Sequence, residues 1–116
     1  MVEGSNDNVC ALLLNTWAGT VNVYNNTIYN MESQGGSKVA IGIRVATPAG
    51  SVANVKNNIV AGLVSAASNG ERAYEHGQAN AGNGTFNEAY NLSDDTSATA
   101  YDAAGTGSLI NQTLPD

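Results

Sequence analysis

The stretch VNVYNNTIYN (residues 21–30) decides the fold. Val21 and Val23 alternate with polar residues, the period of a strand with one buried face. Asn25 and Asn26 interrupt the alternation, and the β-branched pair Thr27 and Ile28 resumes it. The chain then writes the same pattern again in ANVKNNIVAG (53–62), and more loosely in NEAYNLSD (87–94). Asn58 follows Asn26 by 32 positions, and Asn91 follows Asn58 by 33. Self-similarity at this period marks a repeat architecture.

A second type of segment alternates with these asparagine corners. VCALLLN (9–15), VAIGIRV (39–45) and the weaker RAYEHGQ (72–78) are apolar strands, and SLINQTL (108–114) has the look of a fourth. Loops fall between them at matching places: MESQGGSK (31–38), SAASNGER (65–72) and DDTSATAYDAAGTG (94–107). In VAIGIRV, strict alternation sends Val39, Ile41, Ile43 and Val45 to one face and Ala40, Gly42 and Arg44 to the other. One such repeat cannot bury its apolar face alone, whereas stacked repeats bury a continuous column. The paired asparagines suit the corners of the stack. Asparagine tolerates the left-handed backbone that turns a chain sharply. Its amide can also hydrogen-bond to the equivalent amide above and below. Asn26, Asn58 and Asn91 are assigned to such a ladder, and Asn25 and Asn57 to a second.

The run V-x-N-N-T-I-Y-N, then V-K-N-N-I-V-A-G and Y-N-L, resembles the right-handed parallel β-helix repeat of the pectate-lyase-like superfamily over residues 9–114. The resemblance implies an all-β fold: a short right-handed parallel β-helix, a solenoid of about three to four coils with an asparagine ladder. Residues 1–116 then form a single domain, either whole or cut from a longer solenoid. Where many such proteins close with Asp-Pro-Leu-Phe, this chain has LINQTLPD (109–116). A β-sandwich or jelly roll also suits closely spaced short strands, but neither explains why the Asn-Asn pair returns at a fixed distance.

Composition narrows the partners. The chain has 116 residues, sixteen of them asparagine, only 12% charged residues and a net charge of −6. So few Lys and Arg leave no footprint for a phosphate backbone or for an anionic membrane surface. No apolar run approaches the roughly 20 residues of a membrane span. VCALLL (9–14) has no basic region before it and does not read as a signal peptide. A mature secreted or cell-surface protein fits the resemblance. Cys10 is the only cysteine, so it has no internal disulfide partner. Its apolar surroundings make it a small core residue.

In polysaccharide-active members of the superfamily the substrate lies on the outer face of one parallel sheet. By resemblance, the equivalent face here carries Ala11 and Leu13 or their neighbours, then Arg44, then Glu75 or His76. Arg44, Tyr74, Glu75 and His76 are the ligand-binding candidates, and Arg44, Glu75 and His76 the catalytic ones. Each also has a structural explanation. Arg44 and Glu75 on adjacent strands would form an ion pair. His76, the only histidine, suits acid–base work but equally a hydrogen-bonded structural role. Trp17, Tyr24, Tyr29 and Tyr74 suit sugar stacking or packing. Asp94, Asp95 and Asp102 do not match a calcium loop. The aspartate sets of the polygalacturonase-like and pectate-lyase-like members are missing. Asn-x-Ser/Thr occurs at Asn25, Asn83, Asn91 and Asn111, as chance allows in so asparagine-rich a chain.

The sequence therefore points to a non-catalytic binding or structural module of unknown ligand, without cofactor or metal. The expected partner is a second copy, joined through the end coils near Leu12, Leu13 and Leu14 or near Leu109, Ile110 and Leu114. A carbohydrate-active protein using Arg44, Glu75 and His76 is the alternative, and a pure assembly subunit a third.

Overall fold

The computed structural model describes residues 9–15, 18–33, 38–65, 71–76, 84–94, 107–110 and 112–113. Nine strands carry these residues: β1 (Val9–Asn15), β2 (Thr20–Tyr24), β3 (Thr27–Ser33), β4 (Ala40–Ala46), β5 (Val52–Lys56), β6 (Ile59–Ser65), β7 (Arg72–His76), β8 (Thr85–Ala89) and β9 (Leu92–Ser93). They form three parallel three-stranded sheets, ordered β1-β4-β7, β2-β5-β8 and β3-β6-β9. Each strand thus pairs with the strand three places later in the chain. Val9 pairs with Ala40, Thr20 with Val52 and Val52 with Thr85, so the register repeats the spacing of the sequence motifs. No helix occurs among the described residues, and none is long and apolar enough to cross a membrane.

The register lines up side chains in columns. Leu12, Ile43 and Tyr74 form one, Val23 and Val55 lie in another, and Ile28 and Val60 in a third. These columns meet in one apolar core. The strand of the middle repeat, β4, is buried along almost its whole length, whereas β1 alternates half-buried and exposed. Among the described residues β4 has neighbours on both edges, while β1 has one.

Strict alternation fails in the first sheet. Ala40, Ile43 and Val45 all belong to the core, although Ala40 and Ile43 have opposite parity. A Cβ added to Gly42 would run into the Val60 side chain and lie 2.7 Å from the Ala73 carbonyl oxygen. Gly42 and Ile43 therefore both face inward. The expectation that Ala40 and Gly42 share an outer face with Arg44 is corrected accordingly. In β7, Ala73 and Tyr74 are likewise consecutive core residues. The flanking Arg72 and Glu75 are ion-paired with each other. A local shift of this kind re-aims the side chains beyond it.

The corners divide two tasks between the paired asparagines. Asn25 and Asn57 take the left-handed conformation, with φ of 57° and 56°, and Tyr90 takes it in the third repeat at 54°. Asn25 and Asn57 are exposed and form no side-chain series; the second ladder expected of them is replaced by their backbone role. The following residue in each repeat turns inward and stacks. The Asn58 Oδ1 accepts the backbone N–H of Asn26 (3.0 Å) and its Nδ2–H (2.9 Å). The Asn91 Oδ1 accepts the same pair from Asn58, both at 3.0 Å. The second amide proton of Asn58 goes to the Val23 carbonyl (3.0 Å), and the Asn91 Nδ2 donates to the Val55 carbonyl (2.8 Å). Asn58 thereby uses its whole amide capacity while buried, which is what makes an interior asparagine tolerable.

SLINQTL does not begin a fourth strand of the first sheet. Leu109 bridges Leu92 in parallel and so extends the third sheet. Its N–H donates to the Asn91 carbonyl at 2.8 Å, and its own carbonyl accepts from Ser93 at 2.9 Å. The Ser108 Oγ accepts the Asn91 backbone N–H at 3.0 Å, occupying the place of a fourth asparagine. Leu114 lies outside the described residues.

Candidate functional site

The register of the first sheet sets Leu13 beside Arg44 and Arg44 beside Glu75. Ile43 and Val45 face the core, so Arg44 faces outward between them. The Glu75 side chain is only 6% exposed, and both its oxygens are engaged. Its Oε1 lies 3.3 Å from the Arg44 Nε, and its Oε2 lies 2.9 Å from the Arg72 Nη1. Arg72 escaped the sequence-based candidates because a three-residue separation does not place two side chains on one face of a regular strand. The phase shift at Ala73–Tyr74 brings it there. The group is a carboxylate held between two guanidinium ions, with a charge-assisted hydrogen bond from Arg72.

The other two candidates point elsewhere. Tyr74, expected on the ligand-binding face, is a core residue. Its hydroxyl lies 2.9 Å from the carbonyls of both Asn58 and Leu92, and its single proton serves the two. It pins the first sheet to the corner. His76 shares a column with Leu14 and Val45. Its ring stacks on Phe86 with centroids 4.7 Å apart and planes 12° from parallel, and its Nε2 hydrogen-bonds to the Thr47 Oγ1. Glu75 and His76 therefore lie on opposite faces of β7. Arg44 and Glu75 meet, and His76 does not join them.

The remaining candidates disperse. Cys10 pairs in register with Ile41, and burial pushes its thiol above the ordinary range. The Asp94 Oδ2 accepts the Gly62 N–H at 2.7 Å, while Asp95, Asp102 and Trp17 lie outside the described residues. Asn91 is buried, Asn25 is exposed, and Asn83 and Asn111 lie outside the described residues. Tyr24 and Tyr29 are both exposed, at 43% and 56%.

A row that sequence reasoning passed over lies on the outer face of the second sheet. Asn22, Asn54 and Asn87 are register partners. The Asn54 Nδ2 donates to the Asn22 Oδ1 at 2.8 Å, and the Asn87 Nδ2 donates to the Asn54 Oδ1 at 2.9 Å. The Tyr24 hydroxyl donates to the Asn22 Oδ1 at 3.1 Å. The signal was present: each asparagine stands four positions before the corner residue that stacks.

No protein-family model, curated protein or solved structure matches the chain.

Proposed function

We propose that the chain is a short right-handed parallel β-helix of the pectate-lyase-like kind, serving as a non-catalytic binding or structural module. Strands that each pair in parallel with the strand three places later, with amides stacked at the corner, support the solenoid reading. A right-handed path is the rule for parallel crossovers. The observation that carries the non-catalytic reading is the separation of the candidates. Both oxygens of Glu75 are committed to arginines, the Tyr74 hydroxyl to backbone carbonyls, and His76 to Thr47 on the far face of β7. A general acid or base must reach its substrate within hydrogen-bonding distance, and this arrangement offers no two of these groups to one substrate. Incubation with polygalacturonate, xylan and a β-glucan should release neither unsaturated products nor new reducing ends. Turnover lost in Glu75→Gln or His76→Ala would reverse the reading.

The module associates with a second copy through its first repeat. Leu12, Leu14, Val21, Ile28 and Met31 pack against the core but are only partly buried, and Leu13 is 55% exposed. At the other end, Ser108 and Leu109 already cover the corner. Removing such apolar surface from water gains about 25 cal/mol per Å², and a two-fold arrangement closes the assembly where head-to-tail stacking would not. Light scattering in dilute buffer should give twice the 11.9 kDa chain mass, and Leu13→Lys should return it to the monomer. A monomer at tens of micromolar would refute association.

A further inference from the structure

The two edges of β6 are paired unequally. Toward β3, six of its seven residues have register partners. Toward β9, only Ile59 and Val60 do, because β9 is two residues long. Beyond Val60, carboxylates from the third repeat take up N–H groups of β6. The Asp94 Oδ2 accepts the Gly62 N–H at 2.7 Å, and the Glu71 Oε1 accepts the Ser65 N–H at 3.0 Å. Neither carboxylate is ion-paired among the described residues, so charge pairing does not account for their placement.

The strand they border is apolar. IVAGLV (59–64) holds no charge, no proline and one glycine. Ile59 and Val64 are 38% and 51% exposed. Six residues of high β-propensity without charge or proline are the signature of a segment that pairs with copies of itself. An open edge on such a segment is where the pairing starts.

We propose that Asp94 and Glu71 guard the free edge of β6 against strand addition by the β6 of a second copy. A carboxylate bound at an edge N–H acts in two ways. It takes the donor that an incoming strand needs, and it sets a charge where that strand would have to exclude water. The copy of β6, rather than an unrelated peptide, is the strand kept out, because like apolar segments interdigitate when their backbones pair. This contact is distinct from association through the first repeat, since the guarded edge of β6 faces away from β3.

Thioflavin T assembly kinetics test this with the whole chain carrying Leu13→Lys, so that the first repeat does not associate. Asp94→Ala should shorten the lag by about tenfold, the population change that follows loss of a hydrogen bond to a charged group. Asp94→Ala with Glu71→Ala should shorten it further. The product should diffract at the strand spacing of about 4.8 Å. Glu32→Ala is the control for charge: Glu32 is exposed and is the register partner of Val64 on β3, away from the guarded edge. It should leave the lag unchanged. Val64→Lys added to Asp94→Ala should restore the lag, because a lysine on an edge strand opposes pairing. Gly42→Ala, which loosens the core and keeps both carboxylates, controls for stability. The proposal is overturned if neither guard variant assembles faster than the parent, or if Glu32→Ala accelerates assembly as much. It is equally overturned if Val64→Lys does not restore the lag, or if Gly42→Ala assembles as fast when compared at the same fraction unfolded.

Discussion

Asn58→Ala tests the corner most directly. Asn58 is 1% exposed, and its amide makes four hydrogen bonds, to Asn26 twice, to Val23 and to Asn91. Not all the partners lose equally. The Asn91 Oδ1 keeps the backbone N–H of residue 58. The Asn26 Nδ2 keeps the Tyr24 carbonyl, and Asn26 is half-buried, so water recovers part of its loss. The Val23 carbonyl loses a donor in the interior. A stranded buried group costs about 1–3 kcal/mol, and the void left by the amide adds to it. The whole change should destabilise by about 2–4 kcal/mol, read as a lower urea midpoint at unchanged slope. Asn58→Asp sharpens the test. Its carboxylate keeps the acceptor toward Asn26 but turns a second oxygen toward the Val23 and Asn91 oxygens. Burial and those acceptors raise the folded carboxyl pKa above its unfolded value of about 3.9. Below that value both states are protonated and the linkage penalty is absent. It grows as pH rises from there through the folded pKa. The deficit should therefore be smaller near pH 3 than near pH 7. Equal deficits at both pH values, or an alanine variant within about 0.5 kcal/mol of wild type, would refute the donor–acceptor direction assigned to the ladder.

Other sites respond by different mechanisms. Gly42→Ala should destabilise by about 1–3 kcal/mol through overpacking against Val60 and the Ala73 carbonyl; a neutral result in thermal melts would mean that position 42 faces outward. Glu75→Gln removes the charge between Arg44 and Arg72 and should cost about 1–3 kcal/mol, less than the loss of a fully buried pair because both arginines retain solvent; the measurement is chemical unfolding, and stabilisation would contradict it. Cys10 should react slowly with iodoacetamide, with a pH midpoint above that of the unfolded chain, because burial raises its thiol. With the folded pKa raised, its contribution to stability is complete below the ordinary thiol pKa of about 8.5 and is lost as pH rises beyond it. Cys10→Ser should flatten that alkaline decline.

The architecture was legible because the residues that build it must recur. Asn26, Asn58 and Asn91 hold each other, so all three appear, and their spacing fixes the register of strands on either side. Tyr90 shows the limit: a tyrosine at φ 54° replaces the first asparagine, and the third corner looked degraded although the stacking asparagine was intact. Other features left no periodic trace. Alternation in VAIGIRV predicts one face per parity, but the shift at Gly42 comes from close packing against Val60, which belongs to a different sheet. The shift at Ala73–Tyr74 in β7 brings Arg72 to Glu75, and Tyr74 points inward because it stacks in register on Ile43. SLINQTL matched the apolar strands in composition, yet Leu109 bridges Leu92 in the third sheet, and Ser108 ends the ladder.

Repetition also separates what the fold needs from what it does not. Arg44, Arg72, Glu75 and His76 do not recur from repeat to repeat, and it was the resemblance that placed Arg44, Glu75 and His76 on a candidate face. Yet the three charges satisfy one another, and His76 is engaged by Thr47 and Phe86. The mid-strand asparagines are the reverse case. They recur in every repeat, but the core does not touch them, the corner does not use them, and strand propensity disfavours them. Three exposed amides bonded in series contribute only modestly to stability in water, while threonine or valine in the same places would suit a strand better.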